Sequence, residues 1–318
     1  MLSCRKAFRG ALGLAAALLA LPARAAEADR YVPADAEVVV HVNVKQILGS
    51  GLAKKYVLPQ VKKALDDNKE ARQFLAALGL DPLKDVSSVT VSSVANATQG
   101  RDKVVVVLRG NFDPAKVHKL AEKVAEDKKD ELKIGKAGDK YLYETTQQGK
   151  TVYSGFPAAG TLVASPTKAY VVAALEGKTA KVSKALQEAL AGADARQSVW
   201  VASVATDDIK KAAGKNQFTA GIAPKLKAFT GGITVGDDVA VSLKVQTTDP
   251  KAAQTLDDLV TQFVKPILGV AGQSNEDLAP LIKDVLDSMK VTTQKGDLDV
   301  KFKVSAATID KAVKKFGK

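Results

Sequence analysis

VVLRGNFDPAKVHKLAEKV (106–124) and VSLKVQTTDPKAAQTLDDLV (241–260) share one order of parts: an apolar strand, a short polar joint containing Asp-Pro, then an amphipathic run. In the first, Val117, Leu120, Ala121 and Val124 recur at i, i+3, i+4 and i+7, the spacing that puts four side chains on one helical face. Asp113 and Asp249 suit the N-cap, where a side-chain oxygen accepts from free backbone amides. Pro114 and Pro250 suit the first helical position, where no amide donor is needed. Near the other end, DVKFKVS (299–305) precedes Ile309, Ala312, Val313 and Phe316 at the same spacing, with Ser305 or Ala306 at the joint. SVWVASVA (198–205) leads into a short helix from Thr206. Strand, cap, helix is therefore used four times, with and without proline. Asp-Pro is a joint and not a catalytic motif.

Toward the start of the chain, DAEVVVHVNVK (35–45) reads as a strand with Val38, Val40, Val42 and Val44 on one face and Val39, His41 and Asn43 on the other. A helical stretch follows, broken around Gly49-Ser50-Gly51 and Pro59 and ended by Gly79. LDPLKDV connects it to a strand at 87–94, Gly100 marks a turn, and KVVVVLRG returns as an antiparallel partner. From 132 to 174, KYLYETT, KTVYSGF, GTLVAS and AYVVAAL read as successive strands of a meander. A helix over 179–191 places Val182, Ala185, Leu186 and Ala189 on one face. In the second half, GGITVGDDVAVSLKVQTT gives two strands around Gly236-Asp237, while 215–230 gives no clear pattern. Helices over 250–270 and 276–288, separated by GVAGQS, precede strands near 290–294 and 298–304 and a terminal helix from Ala307.

The expected fold class is α+β: two related lobes, 31–193 and 194–318, each a mainly antiparallel sheet with helices on one face. The main alternative is one continuous sheet built by both halves.

The chain opens with Arg5, Lys6 and Arg9, an apolar run from Ala11 to Leu21, and Ala23-Arg24-Ala25. This is the pattern of a signal peptide over 1–25, cleaved near Ala25 or Ala26. Eleven apolar residues fall short of the roughly twenty that span a bilayer. No comparable run follows, so no membrane-spanning segment is expected after cleavage. Cleavage would remove Cys4, the only cysteine, and with it thiol, disulfide and cysteine-ligand chemistry. The expected location is periplasmic or secreted, in a bacterium.

Composition is that of a globular protein, with 46% apolar and 26% charged residues. Lys and Arg number 47 against 35 acids; without the leader's Arg5, Lys6, Arg9 and Arg24 the ratio is 43 to 35, near +8. That surplus admits an anionic surface contacted through lysines. Only 5% of residues are aromatic, and the lysines are interleaved with acids, which argues against nucleic acid as a partner.

His41 lies in a Val-rich strand and His118 in an amphipathic helix; both read as structural, and with two histidines and no cysteine no metal site is assigned. Ser165-Pro166-Thr167-Lys168 matches S-x-x-K, but the following AYVVAAL reads as a strand and the companion S-D-N and K-T-G elements are missing. Asp66-Asp67, Asp207-Asp208, Asp237-Asp238 and Asp257-Asp258 lack the spacing of a calcium loop. Asp207-Asp208 suits a helix first turn and Asp237-Asp238 a hairpin turn. Gly231-Gly232 precedes a strand, not a helix, and no phosphate loop occurs. Asn96-Ala97-Thr98 fits a glycosylation acceptor, of little weight in a bacterial-style export protein. No catalytic, cofactor-binding or metal residue is assigned.

YVPADAEVVVHVNVKQIL (31–48) and GLDPLKDVSSVTV (79–91) resemble the openings of exported bacterial proteins in families of unknown function, similar in style to planctomycete secreted proteins. The resemblance implies no activity and no site residue. The sequence therefore points to a non-enzymatic exported binding or scaffold protein whose partner is an envelope component or another protein. Two alternatives stand beside it: an envelope hydrolase using dispersed carboxylates or serine, and a carrier of an apolar ligand, which requires a long apolar cavity.

Overall fold

The computed structural model describes residues 25, 26, 28–94 and 103–316. Residues 1–24 of the expected signal peptide, the turn expected at Gly100 and the Asn96 acceptor lie outside the described residues. One antiparallel sheet of twelve strands organises the chain, in the order β11-β12-β10-β9-β8-β1-β2-β3-β7-β6-β5-β4. β1 (Val38–Asn43), β2 (Val86–Ser93) and β3 (Val104–Gly110) run outward in one direction. β8 (Val199–Val204), β9 (Leu226–Val235) and β10 (Val239–Thr247) run outward in the other. β4 (Leu132–Ala137), β5 (Lys140–Gln147), β6 (Lys150–Ala158) and β7 (Thr161–Ser165) extend the first side; β11 (Lys290–Gln294) and β12 (Asp297–Val304) extend the second. β1 and β8 pair antiparallel in the middle, Val40 opposite Val201. The two halves are thus repeated in strand order and joined edge to edge in one sheet, the alternative arrangement. That pairing hydrogen-bonds an inner edge in each half that would otherwise stay open.

The joints form as their chemistry dictates. Asp113 accepts from the amides of Ala115 and Lys116 at the start of α5 (Pro114–Asp127), and Asp249 from Lys251 at the start of α9 (Pro250–Leu259). A third Asp-Pro does the same: Asp81 caps the single turn α4 (Pro82–Asp85) inside the expected connector. Gly110 ends β3 where that turn crosses it, and a Cβ there would collide with the Asp85 carbonyl. α12 (Ala306–Phe316) carries Ile309, Ala312 and Val313 as expected, with Asp238 accepting from the Ala306 amide at its start.

Three elements differ from expectation. AYVVAAL is a helix, α6 (Lys168–Leu175), burying Val171, Ala174 and Leu175 at i, i+3 and i+4. Pro59 does not break its helix. α1 (Val44–Gly49) leads, after Ser50–Leu52, into a π turn at Ala53–Val57, and helix continues as α2 (Leu58–Asp67), then α3 (Lys69–Leu78). A second π turn, Val260–Val264, joins α9 to α10 (Lys265–Ser274) two residues before Pro266. A helical proline lacks the amide for the carbonyl four residues back and crowds it; a widened turn accommodates both effects. GVAGQS consequently lies inside α10, and the break falls at Asn275, before α11 (Ala279–Ser288).

The packed core lies on one face of the sheet, here the front. Val39 on β1 is fully buried there with Trp200 and Ala202 of β8, under Leu186 and Leu190 of α7 (Lys184–Ala191). Val105, Val107 and Val163 continue it under Tyr31, and Leu142 meets Val171 and Leu175 of α6. The segment before β1 lies against this face: Val32 is buried, Ala26 donates to the Ala193 carbonyl, and Asp29 takes two hydrogen bonds from the Arg109 guanidinium at 2.8 and 3.0 Å. Val38, Val40 and Val42 face the back and are only half-buried. Helices thus lie on both faces: α6 in front of the first half's outer strands and α7 in front of the central β1, β8 and β9, with α3 and α5 behind the first half. Among the described residues no helix is long and apolar enough to cross a membrane.

Candidate functional site

On the back of the first half, α3 and α5 roof a cavity of about 690 Å³ over strands β2, β3 and β5–β7, within the 300–1,000 Å³ typical of ligand sites. Val117, Leu120, Ala121 and Val124, the stripe read from the sequence, form its roof. Leu108, Phe156 and Leu162 form its floor, while Leu75, Leu78 and Phe112 close one end. The alternation of β3 explains the floor: Val105 and Val107 enter the front core, leaving Leu108 on the back.

No residue of α5 is fully buried, although its apolar stripe points at the sheet. By contrast, α7 buries Leu186, Ala189 and Leu190 completely. An apolar stripe left without partner atoms forfeits dispersion contacts and stays exchangeable with an apolar guest.

Polar groups gather at the other end: Thr145, Gln147 and Ser154 on the sheet, with Lys128 and Glu131 paired at 3.0 Å just past α5. That ion pair is solvent-exposed, so the cavity holds no unpaired charge there. Tyr143 stands between the two ends. Burial, then the nearby Tyr141 and Glu122, pushes its phenol up to about 12. The group thus stays a neutral hydrogen-bonding hydroxyl at physiological pH.

His118 fastens the roof to the floor. Its ring stacks on Tyr141 with centroids 3.6 Å apart. Its Nδ1 is 3.3 Å from the Tyr143 hydroxyl and its Nε2 3.2 Å from Glu122. The Tyr143 hydroxyl and the Glu122 carboxylate thus flank the two ring nitrogens. Among the described residues the hydrogen-bond, ion-pair and ring contacts found for His118 are with Tyr141, Tyr143 and Glu122, none of them a hydroxyl or thiol nucleophile of the serine or cysteine type.

The other singled-out residues are dispersed. His41 lies at the sheet centre on the front, stacked on Trp200 and within 2.9 Å of Thr90 Oγ1. Burial, with Arg109 adding to it and Asp29 opposing, holds its imidazole below the ordinary value. Ser165 does precede a helix, correcting the reading of AYVVAAL as a strand, yet it is no nucleophile. Its hydroxyl is buried, donates to the Val104 carbonyl at 2.7 Å and accepts from the Thr167 amide, while the Lys168 ammonium sits over the Tyr153 ring.

Asp66 and Asp67 are exposed at the end of α2. Asp207 and Asp208 form the first turn of α8 (Asp207–Gly214), capped by Thr206. Asp238 caps α12, and Asp257 and Asp258 accept from Thr261 and Gln254 on their own helix. Among the described residues no group of three or more His, Cys, Asp or Glu is placed to hold a metal. The sequence reading missed Tyr143, Phe156 and Leu162 as cavity residues. Alternation in the meander put them on one face, but nothing local told a filled face from a lined one.

No protein-family model matches the chain, and no curated protein does. Among solved structures, crystal form I of TP0453, a spirochete protein, aligns over 92% of this chain and 99% of its own, with 12% identity and a TM-score of 0.43. A likeness that distant bears on neither fold nor function.

Proposed function

We propose that this chain is an exported, non-enzymatic bacterial binding protein that carries an apolar ligand under α3 and α5. The observation that supports this reading is the cavity itself: about 690 Å³, with a largely apolar lining and a polar end whose charges are paired. An acyl chain or similar slender apolar body, bearing at most a neutral polar group, matches such walls. The leader over 1–25 supports export to the periplasm or beyond, with cleavage near Ala25 or Ala26. The partner is then an envelope component supplying or receiving the ligand.

Titration of the full chain with N-phenyl-1-naphthylamine, a neutral apolar fluorophore, tests the cavity. One saturable site is expected. Ala121→Phe and Leu162→Trp, which fill the space from roof and floor, should each weaken binding at least tenfold while the protein stays folded. Absence of saturable binding, or indifference to both variants, would refute the carrier reading. Native mass spectrometry of protein recovered from the producing cell's envelope adds the mature N-terminus and any retained mass.

A further inference from the structure

We infer that the front face of the second half is an anion site for a compact phosphate-bearing ligand, held by Lys290, Lys301 and Lys303. α7 covers the front of the central strands β1, β8 and β9, and α6 that of the first half's outer strands, which put Val163 and Leu142 there. Beyond α7, toward the second half's outer strands, the same face is open and polar. Between the Gly192–Gln197 loop and the end of α11 it forms a groove of about 720 Å³, floored by Thr230, Ser242 and Lys244.

Lysines and aspartates share this face, but in unequal supply. Every carboxylate lining the groove is already engaged. Asp299 lies 3.6 Å from Lys244, Asp194 is paired with Arg196 at 2.7 Å, and Asp287 with Lys283 at 2.6 Å. Among the described residues Lys290, Lys301 and Lys303 have no ion-pair partner. Lys301 adds to the forces holding the Asp194 carboxyl below its ordinary range, but the direct hydrogen bonds there come from Arg196.

The three lysines also stand close together. Lys290 is directly opposite Lys301 across the β11–β12 ladder, a placement that brings Cβ atoms to about 5 Å and destabilises a sheet when charges are alike. Lys303 follows on the same face two residues along, about 7 Å further. The end of α11 offers Lys290 a partial negative charge, and Ser288 is occupied with the Lys303 backbone. Neither neutralises three ammonium groups. A dianionic or trianionic phosphate group would, and Gln197 and Ser242, bonded to each other at 2.7 Å on the floor, supply neutral polar contacts.

The test uses pyrophosphate and the full chain at low salt, read by calorimetry and by NMR shifts. One saturable site is expected, with shifts centred on Ser242, Lys290 and Lys301. The triple variant K290Q/K301Q/K303Q should lose at least tenfold in affinity. K62Q/K63Q/K123Q, with the same change in net charge on exposed helices elsewhere, should lose less than twofold. No saturable binding, or equal loss in both triples, overturns the site. Vesicles of phosphatidylglycerol against phosphatidylcholine then separate the sources. Sedimentation with the former alone, reversed by pyrophosphate, makes the ligand a lipid headgroup; no sedimentation alongside pyrophosphate binding makes it a free phosphate compound.

Discussion

α5 and α7 carry much the same sequence signal and end in different surroundings. Each shows an apolar stripe at helical spacing, and each is held at its start by a side-chain oxygen, Asp113 for α5 and Ser183 for α7. Yet Leu186 of α7 is sealed among Val39, Trp200 and the segment before β1, while Leu120 of α5 faces open space. The difference lies in what approaches from the other side. The front receives a helix and an extended segment pinned by Asp29 and Arg109; the back receives α3 and α5 standing off the strands. An amphipathic stripe specifies that a helix will face something apolar, and does not specify how near.

Truncation should separate the two surfaces most sharply. Leu186→Ala should cost about 3–4 kcal/mol, the transfer and cavity terms of a sealed site. Leu120→Ala should cost about 1 kcal/mol or less, because its surroundings are already open. Urea unfolding of both variants gives the comparison, and equal losses would show that the back is packed after all.

Asp29→Ala should come next, at about 1–2 kcal/mol. It removes two hydrogen bonds to a charged donor, each partly accessible to water. The same unfolding experiment measures it, and faster proteolysis near residue 30 would show that the segment before β1 is released. Filling the back with Ala121→Phe should change stability by less than about 1 kcal/mol, since added volume enters existing space. The corresponding change on the front, Ala189→Phe, should be strongly destabilising.

The smallest effect concerns pH. The imidazole of His41 titrates lower in the folded chain than its ordinary 6.5, chiefly through burial. The unfolded chain therefore binds that proton first, so this contribution to stability is complete above about pH 6.5 and is lost as pH falls through the folded value. His41→Gln should flatten the urea midpoint between pH 7.5 and 5.5. Asp284, held low by hydrogen bonds from Ser305, loses its contribution only at more acid pH, below the ordinary carboxylate range. A slope unchanged in the His41 variant would remove His41 as its origin.

Much of the fold was legible because its signals are local. Alternation gave most strands, as in β2 and β3, and Asp-Pro gave the capped starts of α5 and α9. Misread segments were those where local rules tie or where two rules compete. AYVVAAL is apolar on every side, and seven such residues fit a buried strand or a buried helix equally well by periodicity. Pro59 is a helix breaker by propensity, but a widened turn before it, like the one before Pro266, lets the helix continue. The candidate site was half-visible: the α5 stripe was identified, while its partners on β5, β6 and β7 became meaningful only once the sheet brought them beneath it.

By itself the sequence determined the class of fold, the repeated strand–cap–helix order, the structural role of Asp-Pro, and the absence of recognisable nucleophile, phosphate-loop or metal-ligand motifs. These depend on hydrogen bonds and periodicities within a few residues. Tertiary structure decided that both halves share one sheet through β1 and β8, that the front is filled at the centre and over the first half while the back of the first half is hollow, and that three lysines with no ion-pair partner among the described residues meet on the open front of the second half. Those outcomes depend on which surfaces approach one another, and at what distance, across segments far apart in the chain.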